Sequence, residues 1–100
     1  MNGITKVSEI THEDVAEYLR LSEVTAEEQN TLSDLIGISK TFISNYTGLE
    51  LDKLDLHFDF VIVVLILCQD MWDNRTLYVK KEDLSYPVQT ILGMHSVNLL

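Results

Sequence analysis

The sequence predicts an all-α fold, a single small helical domain covering residues 1–100. Three observations predict it. The chain has 100 residues, enough for one core, and 46% of them are apolar against four Gly and one Pro, a composition that folds rather than staying disordered. Apolar residues recur at helical spacing over long stretches. The one β-branched run, Val61 to Val64, favours strand, but no other stretch of similar quality is available to pair with it.

Three main helices and a short C-terminal one follow in order. The first starts at Thr11, which can cap it, with Glu13 and Asp14 in the first turn where the helix macrodipole favours acids. Val15, Tyr18 and Leu19 share a face, and the helix is predicted to stop near Leu21 and Ser22. The second opens on a capping box, Thr25 with Glu28 three residues later. Leu32, Leu35, Ile36, Ser39, Ile43 and Tyr46 form its inward stripe. Gly48 is its expected stop in a left-handed conformation.

Residues 49–55 read as a short linker alternating Leu with charge. The third helix is predicted over 56–74, buried on most of its circumference, with Phe58, Ile62, Leu65, Ile66, Gln69 and Trp72 at helical spacing. Residues 77–85 are polar enough for a loop. Pro87 pre-sets the start of the short last helix, with Val88, Ile91 and Leu92 inside and Gly93 ending it. The core is thus expected over about residues 10–93, followed by an extended apolar tail at 94–100.

Charge narrows the function. Seven Lys and Arg against sixteen Asp and Glu give a net charge of −9, which opposes any role that coats nucleic-acid phosphates. Eight of the acids lie within residues 8–34, opposed there only by Arg20. Glu13, Asp14, Glu17, Glu27 and Glu28 are the expected acidic face, either a solvated surface or a wall that meets a basic partner. A helix-turn-helix DNA reader is disfavoured because residues 25–46 carry only Lys40 as a base. The nine-residue apolar run ending at Cys68 is too short for a membrane span, which needs about 20 residues. With no apolar leader at the N-terminus, the expected compartment is a reducing cytoplasm, and no membrane partner is expected.

Catalytic and metal chemistry find no local motif. His12, His57 and His95 are far apart, without an H-x-x-x-H pair, so only folding could gather them; the sequence predicts no metal and no cofactor. Cys68, at the end of an apolar run, reads as a buried small hydrophobe. Asp55 with Asp59, and Asp70 with Asp73, are carboxylate pairs at helical spacing, read as a solvated face. There is no phosphate-cradling Gly-rich loop and no nucleophile elbow. A non-enzyme is expected, with no catalytic residue to name.

Three segments taken together carry a family resemblance. They are Ile10-Thr11-His12-Glu13-Asp14-Val15-Ala16-Glu17-Tyr18-Leu19-Arg20-Leu21, the helix closing in Asn45-Tyr46-Thr47-Gly48, and the apolar helix closing in Gln69-Asp70-Met71-Trp72-Asp73-Asn74-Arg75. In order and spacing they resemble the small head–tail connector proteins of tailed bacteriophages, also described as DNA-packaging or head-completion proteins. The resemblance covers about residues 10–93. It implies an all-α adaptor that joins copies of itself in a ring, about twelvefold, under the portal protein. Such a ring extends the DNA exit channel, lets double-stranded DNA pass without specific binding, and offers a platform to the next head-completion or tail protein. The implied location is the head–tail junction of the virion, after synthesis in the bacterial host cytoplasm.

This chain departs from the pattern at its end, where residues 93–100 replace the basic, proline-bearing ending of many members. The expected interface residues are Lys53, Arg75, Lys80 and Lys81, which could meet the acidic face of a neighbour, and Met94, Val97, Leu99 and Leu100 of the apolar tail, which could add to the portal. The competing reading is a small acidic helical regulator that binds a basic host protein.

Overall fold

The computed structural model describes residues 3–97. It is all-α, as predicted: helix α1 at His12–Tyr18, α2 at Ala26–Thr47, α3 at Asp59–Asn74 and α4 at Tyr86–His95, with 3₁₀ turns at Val7–Glu9, Leu51–Leu56 and Lys81–Asp83.

Both predicted capping boxes form. Thr11 N–H donates to Asp14 Oδ2 at 2.8 Å, and Asp14 N–H donates back to Thr11 Oγ1 at 3.4 Å. Thr25 N–H donates to Glu28 Oε1 at 3.0 Å, and Glu28 N–H donates to Thr25 Oγ1 at 3.1 Å. Each box satisfies helix amides that have no partner within the helix. At the far end of α2, Gly48 adopts φ 81° and donates to the Ser44 carbonyl at 2.9 Å. A residue with a Cβ would be strained there.

Three boundaries differ from the sequence reading. Helix α1 ends at Tyr18 because Arg20 turns left-handed, φ 60°, and Leu21 N–H closes the turn on the Ala16 carbonyl at 3.0 Å. Helix α3 starts at Asp59, not residue 56, because residues 51–56 take a 3₁₀ turn and His57 is extended. Phe58 and Ile62, two of the residues read at helical spacing, are 74% and 49% exposed. Helix α4 runs through Gly93 to His95, and Ser96 is the first extended residue. The tail root then folds back, Val97 N–H donating to the Thr47 carbonyl at 2.7 Å.

The core forms where α2 packs along α3, with α1 against both and α4 closing over α3 and α2. From α2 it takes Leu32, Leu35, Ile36, Ser39 and Ile43, as the stripe predicts, with Thr47 buried in place of the half-buried Tyr46. From α3 it takes eight residues, Phe60 to Met71, which confirms burial around most of that helix. Full burial of each large side chain is worth about 1.5–3 kcal/mol. Ser39 and Thr47 satisfy their hydroxyls by donating to the carbonyls of Leu35 and Ile43, at 2.8 and 2.7 Å. Among the described residues, no helix is long and apolar enough to cross a membrane.

Candidate functional site

The four predicted interface bases are all exposed and lie on three different segments. Lys53 lies on the 3₁₀ turn at 51–56. Arg75 caps α3 in a left-handed conformation, φ 56°, with its guanidinium 5.4 Å from the Trp72 ring centre. Lys80 Nζ stands 5.6 Å from the Tyr78 ring, and Lys81 Nζ stands 5.3 Å from the Tyr46 ring. Three of the four bases therefore rest over an aromatic face, which holds the cation in place while leaving it accessible.

Lys81 stands beside the tail root. It lines a groove of about 530 Å³ with Phe42, Tyr46, Gly93 and Ser96, formed by α2 and the end of α4. Lys80 lines a different hollow with Asp70 and Asp83, and Arg75 a third beside Thr31 and Leu35. Met94 and Val97 are 65% and 58% exposed. Leu99 and Leu100 lie outside the described residues.

The acidic face divides in two. Glu13, Glu17 and Glu27 are exposed. Asp14 and Glu28 are half-buried and already engaged in the capping boxes, so their negative charge serves helix starts first. Of the two carboxylate pairs, Asp55 and Asp59 take different partners, whereas Asp70 and Asp73 stay within electrostatic reach of one another. Asp55 accepts from the N-terminal 3₁₀ turn, where the Ser8 hydroxyl and backbone bonds hold its carboxyl below the ordinary range. Asp59 instead bonds His95. Asp70 is pushed up, by partial burial first and by the Asp73 charge second.

Cys68 is fully buried, and burial pushes its thiol up to about 11 although the Ser39 hydroxyl lies 3.6 Å away. A nucleophilic cysteine needs the opposite setting, exposed and electropositive.

Sequence reasoning missed two features. His57 and His95 come together with Asp59, across a separation of 36 residues between Asp59 and His95 that no local pattern marks. Leu51, Leu56, Phe58 and Ile62 are exposed large apolar side chains around the start of α3. The helical spacing of Phe58 and Ile62 was visible, but not that it pointed outward.

The fold defines a small all-α domain with exposed acids on α1 and α2, exposed bases on other segments and exposed apolar side chains around the start of α3. Comparisons with protein-family models, with curated proteins and with solved structures give no match to this chain.

Proposed function

We propose that this chain is a structural adaptor of the phage head–tail connector kind. It assembles as a ring of about twelve copies under a portal protein, extends the DNA channel and presents a platform to the next head-completion or tail protein. The observation that carries the reading is the ordered set of three motifs, each of which lies at a helix boundary. Thr11 and Asp14 start α1 and Arg20 follows its end; Tyr46-Thr47-Gly48 stops α2; Trp72 to Arg75 stops α3. Residues at such positions set helix lengths and entry angles, so their order encodes an architecture rather than a catalytic site.

The surface supports the same reading. A cyclic ring requires two unlike faces on each copy. Exposed Glu13, Glu17 and Glu27 on one set of elements and exposed Lys80 and Lys81 on another supply opposite charges. A net charge of −9 disfavours adhesion to DNA phosphates, which suits a channel through which DNA slides.

The charge concentration also favours one competitor, an acidic regulator of a basic host protein. Size-exclusion chromatography with light scattering separates the two, run on the protein alone and mixed with the portal of the same phage. A ring-sized mass, or a monomer that moves onto the portal peak, supports the connector. A monomer or dimer indifferent to portal rejects it in favour of the regulator.

A further inference from the structure

The fold gathers two histidines and a carboxylate that the sequence keeps apart. We propose that His57, Asp59 and His95 bind one divalent transition-metal ion, with zinc the best-matched. One donor atom from each residue lies within 4.8 Å of the other two, and His95 Nε2 is 2.8 Å from Asp59 Oδ2. Two imidazoles and one carboxylate suit zinc and its borderline neighbours, whereas magnesium and calcium select oxygen ligands. Three protein donors leave the fourth tetrahedral position to water.

Each donor has a fixed seat. His57 directly follows the 3₁₀ turn at 51–56, Asp59 is the first residue of α3, and His95 is the last residue of α4. The negative pole at the end of α4 and the positive pole at the start of α3 meet here and oppose one another, so the attraction for a cation comes from the Asp59 carboxylate. Phe60, fully buried, forms the floor. Its ring meets His57 and His95 edge-on, with centres 5.3 and 5.1 Å away. An apolar floor of this kind keeps water off one side and restrains both imidazoles. The outer side stays open, since the His95 and Asp59 side chains retain 21% and 26% exposure.

Binding asks for a small rearrangement. The metal takes the place of the proton shared by His95 and Asp59, and their contact widens to about 3.3 Å, the spacing of ligands on tetrahedral zinc. The imidazole rings, now 4.0 Å apart between centres, splay so that both nitrogens face the ion.

A hydrogen bond between His95 and Asp59 accounts for those two residues without a metal. It does not call for His57, so His57 decides the matter. The site is also independent of ring assembly. The experiment is isothermal titration of ZnCl₂ into the full chain after chelator treatment, with MgCl₂ as the hard-ion control, on wild type, His57→Ala and Asp59→Asn. The expected result is one zinc per chain, no magnesium heat, and a melting temperature raised by roughly 5–10 °C with zinc at ten times its dissociation constant. His57→Ala should weaken binding at least about tenfold while its circular dichroism and zinc-free melting stay near wild type. Asp59→Asn, which keeps the shape of the side chain, should weaken binding as well. No zinc heat in wild type overturns the proposal. So does zinc binding that is undiminished in His57→Ala, because the ion would then sit elsewhere.

Discussion

Ser8 and Asp55, 47 positions apart in sequence, are joined twice: Ser8 N–H donates to Asp55 Oδ1 at 2.9 Å, and Ser8 Oγ donates to Oδ2 at 2.6 Å. The pair ties the N-terminal 3₁₀ turn to the 3₁₀ turn ahead of α3, two segments with little regular structure of their own. Val7 and Leu54, beside the pair, are both buried. The clamp therefore sets the register of two core side chains as well as joining two loops.

Replacing Asp55 with Ala should cost about 0.5–1 kcal/mol, a small value because solvent screens the clamp and takes over its donors. Urea unfolding at neutral pH measures it. The carboxyl of Asp55 is lowered in the folded state, first by the Ser8 hydroxyl and then by the Ser8 amide. Its stabilisation is therefore complete above its ordinary value of 3.8 and is lost as pH falls below that through the folded value. Wild type and variant should converge in acid.

Helix identity and most of the core were legible because they rest on local rules. Thr25 with Glu28 marks a start within four residues, and Leu32, Leu35, Ile36 and Ile43 declare one face. What was not legible depends on distance or on a single torsion. The Ser8 clamp and the His57, Asp59 and His95 cluster join positions that no window spans. The early end of α1 follows from one left-handed residue, Arg20, of a type that gives no such signal. The outward turn of Phe58 and Ile62 was hidden because α3 is apolar nearly all round, so periodicity could not say which side faces solvent.

Two arginines pay for sharp helix ends. Arg20 and Arg75 both have positive φ, 60° and 56°. A left-handed residue with a Cβ costs about 1–2 kcal/mol, and Gly avoids this at the expense of about 0.4–1 kcal/mol in a freer unfolded chain. Arg20→Gly should therefore stabilise the fold by about 0.5–1 kcal/mol. Arg75→Gly should gain less, because it also removes the cation held over Trp72. Thermal unfolding of the two variants side by side checks the ranking, and a destabilised Arg20→Gly would refute it.

Asp70 sits at the end of α3, where partial burial, aided by the Asp73 charge, raises its carboxyl above the ordinary value of 3.8. A raised carboxyl means that the ionised form is held less well in the folded chain than in the unfolded one. Its contribution is unfavourable at neutral pH and fades as pH drops through the raised value. Asp70→Asn should then be slightly more stable than wild type at pH 7, with the advantage vanishing in acid. Chemical denaturation at several pH values shows whether the sign is right.

Cys68 offers a probe of unfolding. It is fully buried in α3, and its thiol is raised to about 11 by burial. Since the thiolate is the reactive species, a thiol reagent at pH 8 should label the folded chain far more slowly than the urea-unfolded one. Labelling should become rapid across the same urea range in which helix content falls. Fast labelling of the native protein would mean that α3 opens locally, without global unfolding.

Lys80 and Lys81 test the proposed ring interface. Both are exposed, and each rests over one aromatic ring, Tyr78 and Tyr46, at 5.6 and 5.3 Å. Exposed contacts of this kind are worth about 0.5–1 kcal/mol apiece, so Lys80→Glu with Lys81→Glu should melt roughly 4–16 °C lower and still fold at room temperature. On the proposed ring, assembly should suffer far more, since each copy would then set four units of altered charge against the acidic face proposed for its neighbour's α1 and α2. Lys81 also shares its groove with Gly93 and Ser96 at the root of the tail, so tail docking should weaken with it. Light scattering with portal present reads the assembly, and circular dichroism confirms the fold. A doubly reversed protein that keeps its helices and still forms rings on portal would show that these lysines lie outside the interface.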